Sequence, residues 1–269
     1  MRVIPGMTAE GPALQAAAIA RGLPPDRFEQ RVYCGAPARG EAGHALLDAY
    51  LDAPDLDVRR LPGLGRPVRP GGDALYLALC LAALVAEMRR FRPHIVHTHT
   101  ARAGLLGRTA AVLARVPVRV HTFHGPLPHA HRSRIGAGLA VTAERLLARV
   151  TDRLVADGER VRDDLLAARI GRPAQYMVVP PGTRLRPLPG RARARRVLGL
   201  PEAAPVVAYV GRLTGVKRPD RLVEVARTIH RELPEVHFAV CGDGDQLGEV
   251  LAAAPGFDGT LHPLGRRAD

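Results

Sequence analysis

Arg212 and Lys217 lie in GRLTGVKRPD, directly after an apolar stretch that ends at Gly211. A guanidinium is a planar fork and an ammonium is a compact point charge, and two such cations in one loop suit the oxygens of a diphosphate. Lys217 is the only lysine among the 39 Lys and Arg residues. In so arginine-rich a chain, this favours a position that needs an ammonium, although an ordinary surface lysine is the alternative.

Histidines gather at the ends of two consecutive apolar stretches and just beyond the second. They are His97, His99, His121, His124, His129 and His131. A metal ion could bind such a group, but the chain has no carboxylate between Glu87 and Glu144 to orient the imidazoles and offset ligand charge. A polar crevice, in which imidazoles donate to a sugar hydroxyl or a developing charge, is the favoured interpretation. Strand-end structure without a binding role is the other.

Two turns with glycine could bring the backbone close to a ligand. In TAEGP, Gly11 precedes a helix whose first N–H groups would face a phosphate or oxyanion, although an ordinary turn explains the same residues. This turn is not GxGxxG, which argues against a nicotinamide dinucleotide site. In GDGD, the residues Gly242, Asp243 and Gly244 would leave room for a flat group beside the backbone.

Strands that alternate with helices must position these residues. The pattern predicts strands at 2–7, 27–35, 57–64, 94–100, 118–125, 153–158, 176–182, 206–212, 236–244 and 259–265. It predicts helices at 12–23, 73–91, 104–116, 138–152, 159–170, 218–233 and 246–254. Such alternation is typical of parallel sheets covered by helices on both faces, with a binding crevice where the strands end. The apolar run 74–86 is too short to span a bilayer, so we expect a buried helix there.

Composition divides the chain into two domains. A Pro/Arg-rich linker at 184–204 separates an N-terminal domain at 1–183 from a second domain at 205–269. The second has only three predicted strands, so it is an incomplete doubly wound domain. The predicted fold class is therefore α/β, with two Rossmann-like parallel-sheet domains.

A formal net charge of +13 favours anionic partners such as nucleotides, phosphates or an acidic membrane surface. We expect no nucleic-acid partner, because the arginines are scattered along the sequence and aromatic residues make up 4% with no tryptophan. Cys34, Cys80 and Cys241 are far apart, as is typical of reduced thiols. With no signal peptide at its start, the sequence predicts a cytoplasmic location, with peripheral contact at the inner face of the membrane as one option.

Taken together, the motifs resemble the family 4 retaining glycosyltransferases, which have the GT-B fold of two Rossmann-like domains. The matching stretches follow the family's order over nearly the whole chain and are EGPALQAAAIARGL, RPHIVHTHTARAGLLGRTAAVLARVPVRVHTFHG, TDRLVADGERVRDDLL, VVPPG, VVAYVGRLTGVKRPDRLVEVA and VHFAVCGDGD. The most similar-looking members are bacterial enzymes that build surface polysaccharides and glycolipids. The resemblance implies transfer of a sugar from a nucleotide diphosphate sugar to a glycan or lipid-linked acceptor with retention. It implies no metal and no cofactor beyond that donor.

The resemblance also implies roles for individual residues. His124 would be the catalytic residue. The donor phosphates would bind at Gly11, Gly211, Arg212 and Lys217, and the donor base or sugar would lie near Gly242, Asp243 and Gly244. The acceptor-side crevice would contain His97, His99 and Thr122. The leaving diphosphate, stabilised by the Arg/Lys pair, would help to deprotonate the acceptor hydroxyl.

The chain departs from the family pattern at several points. The E-x7-E segment, whose carboxylates hold the donor ribose and sugar, would lie beyond residue 269, so we expect a truncated chain with little or no transferase activity. Asp157-Gly158 replaces the usual serine, VPPG replaces VPNG, and Glu10 replaces one of two loop glycines. Two alternatives stay open: a non-catalytic module that binds acceptor or nucleotide, and a GT-B-fold nucleotide-sugar epimerase, for which the chain lacks the carboxylates near the sugar.

Overall fold

A computed structural model describes the chain over residues 1–6, 11–35, 56–61, 63–65, 74–125, 134–182 and 188–267. Internal contacts divide the chain into two units, Met1–Arg184 and Leu185–Asp269. The stretch 184–204, expected to be a linker, falls almost wholly in the second unit and contains a helix. Each unit is built on its own parallel sheet.

The first unit contains a sheet of seven strands in the order β3-β2-β1-β4-β5-β6-β7. The strands are β1 (Arg2–Gly6), β2 (Arg31–Gly35), β3 (Asp57–Arg60), β4 (Ile95–His99), β5 (Val118–Phe123), β6 (Arg153–Ala156) and β7 (Tyr176–Val178). Every neighbouring pair is parallel. The chain order reverses between β1 and β4, and in open α/β sheets ligands bind at the carboxyl ends of strands beside such a reversal.

Helices connect these strands, as parallel pairing requires. The helices of the first unit that the structure describes are α1 (Gly11–Gly22), α2 (Ala74–Phe91), α3 (Ala101–Leu113), α4 (Arg134–Arg149) and α5 (Glu159–Ala167). Helix α3 begins at Ala101, three residues before the predicted start at Gly104, and it contains both Gly104 and Gly107. A Cβ at Gly107 would lie 2.6 Å from Cγ2 of Thr98, so glycine lets this helix approach the sheet closely.

Helix α2 is apolar but buries only one face. Cys80, Leu84 and Met88 are buried, whereas Leu75 is 73% exposed and Leu79 is 59% exposed. The expectation of a buried helix therefore holds for one side of it. In the part of the chain that the structure describes, no helix combines the length and apolar character needed to cross a bilayer.

The second unit contains the three predicted strands in one parallel sheet, in the order β10-β9-β8. Its strands are β8 (Val206–Val210), β9 (His237–Cys241) and β10 (Leu261–Gly265), and its helices are α6 (Arg191–Leu198), α7 (Pro219–Glu232) and α8 (Leu247–Ala253). Leu213, Val223, Phe238, Val250 and Phe257 form the centre of its core. The loop after β8 is thus anchored by Leu213, which lies between the two cations Arg212 and Lys217.

Candidate functional site

The carboxyl ends of β4 and β5 bring four of the predicted side chains together. His97 Nε2 lies 2.7 Å from Thr122 Oγ1, and His99 Nδ1 lies 2.9 Å from His124 Nε2. The two strands pair in register with His99 opposite Thr122, so alternate side chains share one face of the sheet. The rings of His97 and His99 are also in contact, with centroids 4.2 Å apart.

Asp157 follows β6 and joins this cluster. Its Oδ2 lies 3.4 Å from Nδ1 of His124. The Asp157 carboxylate therefore faces Nδ1 of His124 at ion-pair distance, while His99 hydrogen-bonds to the opposite ring nitrogen, Nε2. Asp157 and His99 therefore orient the His124 ring from both sides. Sequence analysis identified Asp157 only as a replacement for the usual serine. Its contact with His124 was not predicted, because the search for a carboxylate near the histidines covered the span between Glu87 and Glu144, and Asp157 follows the next strand, β6.

Burial keeps the histidines of β4 neutral. It lowers the pKa of His97 to about 3, and the positive charge of Arg2 acts in the same direction. Burial likewise lowers the pKa of His99 well below its usual range, with repulsion from His97 and His124 adding to it. Neutral imidazoles can both donate and accept hydrogen bonds, which suits sugar hydroxyls better than anions.

His121 lies apart from the crevice. It is fully buried, its Nδ1 lies 2.8 Å from Thr98 Oγ1, and it packs against α3 beside Gly104. It is therefore a core histidine. His129 and His131 lie outside the described residues. Over the described ranges, no group of three His, Cys, Asp or Glu side chains is arranged to hold a metal ion.

The first turn of α3, next to the histidine cluster in sequence, is electropositive. It carries no acidic residue, and Thr100 before it adopts φ 65 and ψ 164, a strained conformation for a residue with a side chain. The three guanidinium nitrogens of Arg102 are buried, and no hydrogen-bond acceptor contacts them within the described structure. Sequence reasoning missed both residues, since neither the strain nor the burial leaves a sequence signal.

Gly11 is the first residue of α1 and is exposed, and a Cβ added to it would meet nothing within 4 Å. The space beside it is open, so a ligand could approach, but its backbone does not require glycine. Glu10 lies outside the described residues.

In the second unit, Arg212 and Lys217 are both exposed on the loop between β8 and α7. The amides of Lys217 and Arg218 donate to the carbonyl of Thr214, which turns the chain into the helix. Arg218 is tied to Asp220 by a contact of 2.6 Å, and this hydrogen bond lowers the pKa of Asp220 to about 2. The Lys217 ammonium has no such carboxylate partner among the described residues, so it is the cation available to a ligand.

The loop after β9 packs directly on this cation loop. Leu213 N donates to the Asp243 carbonyl at 2.9 Å. A Cβ at Gly242 would lie 1.9 Å from the carbonyl oxygen of Gly211, and one at Gly244, where φ is +156, would lie 2.3 Å from that of Leu213. Glycine is therefore required here for the approach of the two loops, whereas the sequence suggested room for a flat ligand group.

Comparison with known proteins matches both units of the chain to glycosyltransferase domains. The glycosyl transferase 4-like domain matches residues 10–182, and glycosyl transferases group 1 matches residues 190–254. A D-inositol 3-phosphate glycosyltransferase of Kineococcus radiotolerans is 32% identical over 212 residues, which cover 75% of this chain and 46% of that protein. A UDP-Gal:alpha-D-GlcNAc-diphosphoundecaprenol alpha-1,3-galactosyltransferase of Escherichia coli is 29% identical over 176 residues, covering 63% of this chain and 46% of that protein.

Among solved structures, Anabaena Alr3699/HepE in complex with UDP matches with a TM-score of 0.73 at 21% identity, covering 99% of this chain and 69% of that one. This likeness confirms the predicted α/β fold class. The chain spans about half the length of the curated relatives it matches. The first family domain extends over residues 10–182, more than half of the chain, and the protein belongs to the glycosyltransferase 4-like family.

Proposed function

We propose that the protein takes part in transferring a sugar from a nucleotide diphosphate sugar to a glycan or lipid-linked acceptor, with retention of configuration. The observation that carries this proposal is the loop of Arg212 and Lys217, within a chain of the glycosyltransferase 4-like family. Lys217 is exposed, whereas the neighbouring Arg218 is neutralised by Asp220.

The donor step would use the two cations of this loop. As the bond between sugar and diphosphate breaks, negative charge grows on the leaving phosphate oxygens. A fixed ammonium and a guanidinium beside those oxygens favour the transition state over the bound donor, which is how charge stabilisation accelerates a reaction. The leaving diphosphate would then accept the proton of the acceptor hydroxyl. No metal or cofactor other than the donor enters this proposal.

The acceptor step would use the histidine crevice of the first unit. The neutral imidazole of His97, bonded to Thr122, and the ring of His124 between His99 and Asp157 offer fixed polar groups to sugar hydroxyls. The Asp157 carboxylate, 3.4 Å from Nδ1 of His124, would stabilise positive charge on this ring beside the acceptor hydroxyl while the leaving diphosphate takes the hydroxyl proton. We therefore assign the catalytic role to His124, with Asp157 and His99 orienting it.

The names of the two relatives narrow the acceptor class. One name contains D-inositol 3-phosphate and the other a diphosphoundecaprenol-linked sugar, so each includes a phosphate-bearing molecule. The buried guanidinium of Arg102 supports the same class for this protein, because a buried cation that no acceptor contacts among the described residues favours a nearby anion. The proposal includes a cytoplasmic location, peripheral contact with an acidic membrane and no nucleic-acid partner, which the charge of +13 supports for anionic surfaces.

Isothermal titration calorimetry of the full chain with UDP and GDP tests the proposal. We expect saturable binding of at least one nucleotide, weakened roughly 10- to 150-fold by Lys217→Ala, because a hydrogen bond to a charged group contributes about 1.5–3 kcal/mol. The matched control is Arg221→Ala, which removes one exposed positive charge from the adjacent helix α7. It should leave the affinity within about twofold.

Two results would contradict the proposal. If neither nucleotide binds the wild-type chain, a non-catalytic module that binds only an acceptor is favoured instead. If Lys217→Ala and Arg221→Ala weaken binding equally, the nucleotide responds to net charge and not to this loop.

A further inference from the structure

Three helices of the first unit are followed by an arginine whose backbone is left-handed. Arg92 follows α2 with φ 51, Arg115 follows α3 with φ 57, and Arg169 follows α5 with φ 57. Glycine is the usual residue here, because a side chain disfavours this conformation. Glycine is available in this chain, at 28 residues, yet arginine occupies these three equivalent positions.

The helix dipole accounts for part of this choice. A cation near a helix C-terminus is favourable, and some arginines of this region do bond to helix carbonyls, as Arg89 does to Leu113 and Arg145 to Ala168. The backbone amides of Arg92, Arg115 and Arg169 donate to other carbonyls in the last turns of their helices, those of Met88, Val112 and Leu166. The backbone amide of a glycine would make the same hydrogen bonds. The backbone geometry therefore does not require an arginine side chain, and among the described residues these three side chains make no hydrogen bond or ion pair.

Topology collects these arginines in one place. Helices α2, α3, α4 and α5 lead into β4, β5, β6 and β7, which are parallel and adjacent, so all four helices end at the amino ends of these strands. We call this half of the sheet edge the arginine edge. Its exposed arginines include Arg89, Arg92, Arg115, Arg149, Arg169 and Arg172.

Two cavities lie along the arginine edge. One, of about 460 Å³, is lined by Arg89, Arg92 and Arg115 together with His94 and apolar residues. The other, of about 430 Å³, is lined by arginines of α4 and of the connection to β7, with Gln175. Neither cavity is lined by a carboxylate. Each is a concave, positively charged surface that suits phosphate groups.

Charge is segregated along this edge of the sheet. In the described connections 89–95, 114–118, 149–153 and 168–176, the one carboxylate is Asp152, and it is bonded by the amide and guanidinium of Arg119. The other half of the same edge, before β2 and at β3, mixes both signs: its arginines alternate with Asp26, Glu29 and Asp57, and Asp57 pairs with Arg31 and Arg59. Positive charge is therefore concentrated at β4–β7.

Exposed aliphatic side chains lie among these arginines. Ile95 is 44% exposed, Leu113 is 51% exposed, Val118 is 37% exposed and Val150 is 36% exposed. All four lie at the starts of β4 and β5 or at the ends of the helices before β5 and β6. Arginines mixed with aliphatic chains suit an anionic bilayer, because guanidinium groups bind lipid phosphates while aliphatic chains enter the interfacial layer. A nucleic acid would bind the guanidinium groups through its phosphates, but it offers no apolar layer for these four exposed aliphatic side chains.

We propose that the arginine edge docks the protein on a bilayer of anionic phospholipid. The histidine crevice opens at the carboxyl ends of the same strands, so a protein docked in this way leaves the crevice open to a glycan acceptor in solution. A lipid-linked acceptor would reach it only where its glycan extends well beyond the bilayer. This proposal rests on the membrane contact included in the proposed function and assigns a surface to it, and its vesicle test is read separately from nucleotide binding.

Sedimentation of the full chain with vesicles tests the docking surface. The wild type should bind vesicles of phosphatidylglycerol and phosphatidylcholine, and it should not bind phosphatidylcholine alone. The triple variant Arg92→Gly, Arg115→Gly and Arg169→Gly should bind about 100-fold more weakly, because each arginine near an anionic surface contributes about fivefold. Since glycine fits the left-handed conformation at all three positions, the variant should fold at least as stably as the wild type.

A charge-matched control distinguishes the effect of the arginine edge on vesicle binding from the effect of the protein's net charge. Arg191→Gln, Arg193→Gln and Arg227→Gln remove three exposed arginines of α6 and α7 and should leave vesicle binding within about threefold. Equal losses in the two triple variants, full binding by the glycine variant, or no binding of the wild type to phosphatidylglycerol would each overturn the proposal. So would selective loss of single-stranded DNA binding by the glycine variant with vesicle binding unchanged, which would make the edge a nucleic-acid surface.

Discussion

Three histidines at the carboxyl ends of β4 and β5 couple the stability of the first unit to pH. Burial lowers the pKa of His97 to about 3 and places those of His99 and His121 well below the usual range. In the unfolded chain each titrates near about 6.5. Protonation therefore favours unfolding, so stability is full above about pH 6.5 and falls as the pH decreases toward 3. The loss approaches about 1.4 kcal/mol per pH unit for each histidine.

Urea denaturation between about pH 7 and pH 5 measures this dependence. His97→Gln should reduce the slope of unfolding free energy against pH by about one quarter, because glutamine does not titrate and can still bond to Thr122, while His99, His121 and the Met1 amino group, whose pKa burial lowers to about 5, still contribute. The control is His94→Gln, which removes an exposed histidine at the opposite end of β4. Equal slopes for the wild type and His97→Gln would show that His97 is not held neutral in the folded protein.

Sequence reasoning reached part of the histidine site. The meeting of His97, His99 and His124 was predictable, because parallel strands that follow one another along the chain end at the same edge. The partnership of Asp157 with His124 was not, because a carboxylate one strand away becomes a partner only through a side-chain distance. The roles of these residues in transfer stay predictions.

At the scale of elements, glycine sets the approach of α3 to the sheet. A Cβ at Gly104 would lie 2.5 Å from Cε1 of His121 and 2.9 Å from Nη2 of Arg108. Neither group can move freely, because His121 is fully buried and Arg108 donates to Glu144 at 2.7 Å. Gly104→Ala should therefore lower the free energy of unfolding by about 1–3 kcal/mol.

The control for this variant is Gly138→Ala, since Gly138 lies in α4 and a Cβ there would meet nothing within 4 Å. It should raise the free energy of unfolding by up to about 1 kcal/mol, because alanine is the better helix former. Urea denaturation of both variants measures the difference. Equal stability changes would mean that helix propensity alone governs Gly104 and that α3 does not pack as described.

The strands were predicted from the sequence more accurately than the helix α6. All ten strands lie where hydrophobic patterning predicts them, within a few residues, because buried parallel strands are continuous apolar runs. The helix α6 was missed, because its Pro- and Arg-rich surroundings are typical of a linker. Arg195 of this helix is buried and donates to the carbonyls of Pro201 and Ala204, and such distant bonds leave no local pattern.

At the scale of the whole molecule, the distribution of charge could not be predicted from composition. The arginines are scattered along the sequence, yet the order of parallel strands gathers many of them at the amino ends of β4–β7. The GT-B resemblance, by contrast, was visible in the sequence, because its motifs occupy the connections after the strands. The histidine crevice and the loop of Arg212 and Lys217 were thus visible as sequence motifs, whereas the arginine edge is visible only once the strand order is known.

Hydrogen exchange of the full chain with and without UDP, followed by mass spectrometry, tests the central claim most directly. The loops 211–218 and 242–246 are joined by backbone hydrogen bonds from Leu213 to Asp243 and from Gln246 to Leu213, so a bound diphosphate should slow exchange in both. Helix α5, which belongs to the other unit, should exchange at the same rate. Protection of both loops by UDP is the result we predict, and unchanged exchange in these loops at saturating UDP would contradict a nucleotide-sugar site there.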